Sequence, residues 1–532
     1  MHASALQWLN PTIIAVYMIG LIATGLYFSR RQTTTEAYFV ARRVVPGWAM
    51  GISLLATIIT SVTFIAYPGA AYTGNWALIV PGLMMVLVPA IAGLILVPFF
   101  RHAVRMTAFE YFGKRLGSGV HLYSSAMFAL GQLSKMAFVL YLLALTVNSM
   151  TGWKIEFVLV AATVVTVAYA FIGGLEAIIW ADVFQGLLLW VGVLLAAGFL
   201  IYLAPMSFSN IFTTAWHAQK FSMGEWSFDL HRPTIFVLLL YGFFFYLQKY
   251  TADQTVIQRY LAARSDRQAV RGILLGAVLC IPVWALFMLV GTLLWIFYRA
   301  SGEHLPAFIS KGDQVFPFFL TTHLPPGVGG IFLAALFGAG MAMLASDLNC
   351  LATIGVEDFY RHWRPATMDG KALRLGRLCV VVSGIMALAI AWLLAHSHGI
   401  ALALYYAASS IVAGGLAGIF LLSFLSTRAT PLGVQIGIVV NLIFTAWATL
   451  TSGAHPLMSS FPIRFPWHEY MIGVVGQVIV FVVGYLASWL TPRQAPDPNA
   501  LTLWTWLRHG RESHAPELTG NVSFILTPHP EK

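Results

Sequence analysis

The sequence predicts an all-α polytopic membrane protein with about thirteen transmembrane helices. Three observations lead there. Hydrophobic residues make up 59% of the 532 and charged residues only 9%, whereas about a quarter of an ordinary soluble domain is charged. Apolar runs of around 20 residues, the length at which a helix spans a hydrocarbon core, recur along the chain. Short alternating strands of the kind that build a membrane barrel are not the pattern seen.

The expected helices are 11–29, 47–73, 78–100, 121–149, 155–173, 178–203, 233–250, 270–298, 326–356, 376–396, 399–426, 431–451 and 469–490. Residues 1–490 thus read as one membrane domain. Residues 491–532 read as a polar, proline-containing cytoplasmic tail. Between the spans, eighteen Lys and Arg residues, Arg259 among them, fall on one side and six on the other. Basic loops stay inside, so the N-terminus is expected outside and the C-terminus in the cytoplasm. The net charge of +10 is read as this topology signal rather than as a nucleic-acid footprint. The first apolar run lacks a basic leader and a small-residue cleavage site, so it reads as a retained helix. Segments 204–232 and 299–325 read as longer external loops whose aromatic residues suggest interfacial helices. Cys280, Cys350 and Cys379 have neither disulfide nor metal spacing.

Two spans are interrupted. The first carries Thr57, Thr60, Ser61 and Thr63 in mid-helix, then Pro68-Gly69. Five helices later, "LLLYGFFFYLQKYTADQTVIQRYL" carries Gly242, Gln248, Lys249, Asp253 and Gln254. Interrupted helices at matching positions of two halves point to an inverted repeat, with freed backbone groups facing a binding site at mid-membrane. For either helix alone, the hydroxyls could simply bond their own backbone. A charge at the bilayer centre costs about 2.5–3.5 kcal/mol on insertion scales, so three further residues stand out. Glu176 and Asp182 lie in "GGLEAIIWADVFQG", at the break between two apolar runs. Lys135 lies some fourteen residues into its helix, about 20 Å at about 1.5 Å per residue, too deep for easy snorkelling.

The chain resembles the sodium/solute symporter family, relatives of the sodium-coupled glucose, proline and sialic acid transporters. Four stretches in family order carry the resemblance: "GGLEAIIWADVFQG", "TADQTVIQRYLAARS", "PFFLTTHLPPGVGGIFLAALFGAGMAMLASDLNCLATIGVEDFYR" and "LLSFLSTRATPLGVQIG". They span roughly residues 35 to 440. The resemblance implies a LeuT-type 5+5 inverted repeat: a leading helix at 11–29, repeat one at 47–203, repeat two at 233–426 and trailing helices at 431–490. It also implies a bacterial inner-membrane location and cation-driven alternating access.

Mapped onto this chain, the family's main sodium site would use the carbonyls of Ala56, Ile59 and Ala339. Its two hydroxyl positions are here Ala342 and Met343, which offer a hard cation no oxygen. A second site found in some relatives would use Asp182 and Ser346; position 345 is Ala, and Asp347 follows. Asp182 is thus a candidate cation ligand or proton carrier, while Glu176 reads as interfacial. Relatives that carry carboxylated substrates can have Arg at the position of Lys135. Three readings of Lys135 stand: a ligand for a substrate carboxylate, an ammonium that replaces sodium and couples transport to protons, or a salt bridge to a buried acid such as Asp347. Thr60, Thr63, Tyr246 and Lys249 are further candidate substrate residues. Tyr405, Tyr406, Ser409 and Ser410 could line the cavity or pack. Gly82 and Met85 stand where glucose-type relatives place polar sugar ligands, which weakens a hexose assignment.

The expected function is symport of a small polar solute, with a carboxylated one favoured: a sugar acid, sialic acid or another organic acid. Sodium at a reduced site, or protons, would couple it. A neutral sugar or polyol is the alternative within the class, and a transporter-like solute sensor the alternative outside it. No GxSxG or HExxH occurs, so an enzyme is not expected, nor a cofactor beyond sodium as the coupling ion. The expected partners are the solute, sodium or protons, and the lipid bilayer.

Overall fold

The computed structural model of the chain describes residues 8–307, 309–325, 327–397, 414–453, 457–458, 462–492 and 501–509. The principal helices are α1 (Leu9–Ser29), α2 (Gly47–Ile58), α3 (Ser61–Thr73), α4 (Ile79–Ala103), α5 (Ser118–Thr151) and α6 (Ile155–Leu203). They continue as α7 (Ile235–Ala252), α8 (Gln254–Ala262), α9 (Asp266–Ser301), α10 (Val328–Ile354) and α11 (Asp369–His396). The last are α12 (Leu416–Leu425), α13 (Pro431–Thr451), α14 (Tyr470–Trp489) and α15 (Leu503–His509).

Ten helices among the described residues are long and apolar enough to cross a membrane, and α2 with α3 forms one further span bent by 63°. The 49 residues of α6 would extend about 74 Å at about 1.5 Å per residue, more than twice a hydrocarbon core of about 30 Å. Gly174, at φ 58 and ψ −163, breaks it into two spans. Only glycine enters that backbone region freely. Counting α6 twice, and α12 as the described end of the expected 399–426 helix, gives the thirteen expected crossings. The first part of that helix, with Tyr405, Tyr406, Ser409 and Ser410, lies outside the described residues.

The core is built around α10. Every residue from Phe332 to Ile354 is buried, and the helix packs on α1, α5, α6 and α11. Its many Gly and Ala residues fit that enclosure, because small side chains let neighbouring helices approach. The same logic joins α2 to α9. Gly47 and Gly51 on one helix face Gly272 and Gly276 on the other. A Cβ on Gly51 would lie 2.6 Å from the carbonyl oxygen of Gly272, and one on Gly276 would lie 2.6 Å from that of Gly51.

Both expected interruptions are present, one of them displaced. Between α2 and α3 the chain is extended at Ile59 and Thr60, and the Thr60 hydroxyl accepts from the Val62 N–H. The second break is at Asp253, not near Gly242. Gly242 lies inside α7, where its missing side chain admits the Pro81 backbone; a Cβ there would be 2.6 Å from the Pro81 carbonyl oxygen. At Asp253 the backbone is extended, and the carboxylate accepts the Thr255 N–H at 2.9 Å. It thereby satisfies one of the donors that a helix start leaves orphaned. Residues after 250, expected as loop, continue as α8, all nine of whose residues are buried.

The two broken helices are tied at the arginine-rich end of the bundle. The Val45 N–H donates to Ala262, and the Arg264 N–H donates back to Val45. Glu176, the expected interfacial carboxylate, lies here too, accepting from Arg31 at 3.4 Å and Arg42 at 3.1 Å. At this end α15 docks through Trp506, which meets the Phe99 ring at a centroid distance of 5.7 Å. The Trp504 indole donates to the Leu425 carbonyl at 2.6 Å. At the opposite end, the 204–232 and 299–325 segments form the short helices Phe208–His217 and Val315–His323. Lys220 donates to the carbonyls of Ala71, Tyr72 and Gly74 and so caps α3.

The glycine contact between α2 and α9 gives a direct test. Gly276→Leu should cost about 1–3 kcal/mol through overpacking and lower the melting midpoint in detergent. Gly20→Ala, with nothing within 4 Å, should not lower it. Equal midpoints for the two variants would refute the close approach.

Candidate functional site

Polar side chains from six helices meet deep in the bundle beside the two breaks, in two adjacent clusters. The first is centred on Arg259 of α8, whose side chain is 1% exposed. Its Nη2 donates to Asp182 Oδ2 at 3.0 Å, to Ser346 Oγ at 2.8 Å and to the Thr57 hydroxyl. Its Nε donates to Ser53 Oγ at 3.1 Å, and its Nη1 to the Thr255 carbonyl at 2.6 Å. The Ser53 hydroxyl in turn donates to Asp182 Oδ2 at 2.6 Å. Asp182 comes from the second half of α6, Ser346 from α10, and Ser53 and Thr57 from α2. The structure therefore brings Asp182 and Ser346 together, as the mapped cation residues should be, but with a guanidinium seated between them.

Arg259 corrects the sequence reading, which places it among the loop cations. It lies six residues past the break at Asp253, on a short helix that turns back into the bundle. A helix ending at residue 250 would have left it at the surface. The available signal was the run of polar residues Gln254, Thr255, Gln258 and Arg259 beside a break, which is costly in lipid unless it faces the bundle interior.

Ala56, Ile59 and Ala339, mapped as carbonyl donors, are buried where α2 ends against α10. The end of α2 leaves last-turn carbonyls without helical partners. Ala342 and Met343 are buried as well and contribute a methyl group and a thioether. The mapped main site thus offers carbonyl oxygens and no hydroxyl. Among the described residues there is no group of three or more His, Cys, Asp or Glu that could hold a metal ion.

The second cluster contains Lys135, Asp347, Lys249 and Asp253. The Lys135 ammonium lies 3.1 Å from Asp347 Oδ2 and donates to Oδ1 at 3.3 Å. Asp347 is fully buried, while the Lys135 side chain remains 31% exposed. Asp347 was mapped as a cation-binding residue; the cation beside it here is Lys135. Lys249, at the end of α7, donates to Asp253 Oδ2 at 2.6 Å. The two pairs lie within Coulomb range of each other.

The remaining candidates are placed by other contacts. Thr60 caps α3 and Thr63 is buried in its first turn. Tyr246 is buried with its ring 6.4 Å from Trp284, which stacks on Tyr67 at 6.1 Å. Gly82 lies under that indole, where a Cβ would be 2.5 Å from the ring. The Met85 carbonyl accepts from the Tyr250 hydroxyl. A cavity of about 580 Å³ opens on the side away from the arginine-rich end, lined by Val62, Ala66, Phe138, Tyr141, Leu142 and Asp313 among others. Phe138 is one turn beyond Lys135 on α5, and Val62 adjoins Thr63 on α3. Burial lifts the Asp313 carboxyl at its rim above the ordinary value.

Removing one partner of a buried ion pair leaves an uncompensated charge, at a cost of about 3–5 kcal/mol. Arg259→Gln should therefore sharply lower the detergent melting midpoint and folded yield. Asp182→Asn introduced with it should recover much of the loss. A single variant as stable as the parent chain would show that the pair is not buried as described.

With this geometry in place, comparisons with known proteins agree on one family. The family model of the sodium:solute symporter family matches residues 38–441. The sodium/sialic acid symporter SiaT of Proteus mirabilis is 28% identical over 90% of this chain and 95% of its own. The sodium/sialic acid symporter NanT of Aliivibrio fischeri is 29% identical over 92% and 94%. A solved Na+-coupled sialic acid symporter, substrate-bound and outward-open, superposes with a TM-score of 0.83 at 27% identity, covering 92% of this chain and 99% of that one. The nucleobase-cation-symport-1 transporter Mhp1, at 13% identity and a TM-score of 0.52, shares the fold alone. The chain belongs to the sodium:solute symporter family, and its helices adopt the inverted-repeat transporter fold of that family.

Proposed function

We propose that this protein is a secondary active symporter that imports a small carboxylated solute of the sialic acid or sugar-acid class, driven by sodium. One observation carries the reading: Lys135 holds an ammonium near the Asp253 break, paired with the fully buried Asp347, on a side chain that remains 31% exposed. An accessible cation that deep fits recognition of a solute carboxylate through a charge-assisted hydrogen bond. The sialic acid symporters among its relatives, similar over nearly their whole length, support the same solute class. A neutral sugar is disfavoured, since Gly82 and Met85 serve helix packing and supply no polar ligand. One sodium entering with one carboxylate moves no net charge, so the sodium concentration gradient supplies the drive, about 1.4 kcal/mol for each tenfold. We place the arginine-rich end in the cytoplasm by the excess of basic loops.

Uptake into proteoliposomes under sodium, choline and proton gradients tests the class. Sodium-dependent accumulation of sialic acid or another sugar acid is expected; binding without accumulation would point to a sensor. Lys135→Ala should weaken binding of the acid by about 10- to 100-fold, given about 1.5–3 kcal/mol for a hydrogen bond to a charged group. The methyl ester of the same acid should lose little. Unchanged affinity for the acid would remove the carboxylate role. Ala342→Ser combined with Met343→Thr should lower the sodium concentration giving half-maximal uptake. An unaltered sodium response would show that missing hydroxyls do not limit that site.

A further inference from the structure

The second cluster suggests how solute and cation are linked in this chain. Lys135, Lys249, Asp347 and Asp253 sum formally to zero charge, and they come from α5, the α7 end and α10. Lys249 and Asp253 are locked together at 2.6 Å, with Asp253 also committed to Thr255. Asp347 has no such redundancy. It is fully buried, and its Oδ2 accepts no hydrogen bond. Among the described residues its only ion-pair partner is the Lys135 ammonium. A bare carboxylate at that depth would cost several kcal/mol, so an ionised Asp347 needs a cation beside it.

We propose that Lys135 is a tethered cation that exchanges partners. It holds Asp347 when the solute is absent and turns to the solute carboxylate when the solute binds; the Asp347 carboxylate it leaves then takes sodium. This rests on the carboxylate role of Lys135 proposed above, but its cation half can be tested without any solute. An incoming carboxylate adds one negative charge to a neutral cluster, and one sodium restores balance. Solute and cation thus favour the same state because each compensates a charge the other leaves unmatched, which is the differential affinity that coupling requires. Asp347 also supplies a formal charge in a chain whose mapped sodium site has lost both hydroxyls. The Lys135 side chain is 31% exposed while Asp347 is fully buried, so of the two it is the lysine that a solute can reach.

Thermal stability in detergent, in sodium chloride against choline chloride and with no solute, tests the cation half. Lys135→Met removes the tethered cation, so sodium should stabilise this variant, with half-saturation at a concentration at least tenfold below that of the parent chain. Lys135→Met with Asp347→Asn should lose that response. A Lys135→Met variant no more sensitive to sodium than the parent, or a double variant that keeps the response, overturns the exchange. Asp347→Asn alone, which retains a hydrogen-bonding side chain, provides a second arm: it should bind sialic acid with an affinity that no longer changes with sodium. Persistent sodium dependence there also overturns the exchange. If the sodium responses appear as expected while no sugar acid binds the parent chain, the substrate assignment falls and the cation site at Asp347 stands.

Discussion

Lipid offers a polypeptide no hydrogen bonds, so every backbone group inside the bilayer must find its partner within the protein. The rest of this structure follows from how two helices break that regularity and are repaired. At Ile59–Thr60 and at Asp253 the helical ladder stops. The repair uses a threonine hydroxyl at one break and an aspartate at the other. Residues so placed are already paid for as caps, and the carbonyls left open beside them give the protein a polar interior.

That interior is rich in charge for so apolar a chain, and its pairing is selective. Asp182 shares Arg259 with three hydroxyls, a network with several hydrogen bonds in reserve. Asp347 depends on one flexible lysine. The first arrangement resembles a fixed strut, because a guanidinium in a fork of oxygens has little freedom left. The second has a mobile member, because an ammonium on a four-carbon stem can turn between neighbours. One bundle thus contains an ion pair suited to holding helices together and another suited to working between them.

The fold was largely legible in the sequence because apolar runs of membrane length give a strong signal, and the two interruptions were visible as hydroxyl-rich and polar stretches. The span boundaries near Gly174 were found from glycine and charge together. Of the polar and glycine positions in the second interrupted stretch, the break falls at Asp253, while Gly242 stays inside α7. Gly242 reports helix packing against Pro81, a contact between positions 161 residues apart that no local pattern reveals. Arg259 was missed for a related reason: a basic residue after an apolar run reads as topology signal unless the chain is known to turn back inward. The approach of Lys135 to Asp347 was legible only as one reading among three, since it depends on the rotation of two helices about their own axes.

The capping lysine at the far end of the bundle has a mechanical meaning. Lys220 grips three carbonyls at the end of α3 and also lies over the Trp295 ring of α9, 4.7 Å from its centroid. The loop that carries it is thereby fastened to α3, the second half of the first broken helix. Any swing of that half-helix must drag the 218–224 segment with it or tear these bonds. A spectroscopic reporter on the exposed Trp216 or Met223 would consequently follow any movement of α3 from the surface of the bundle.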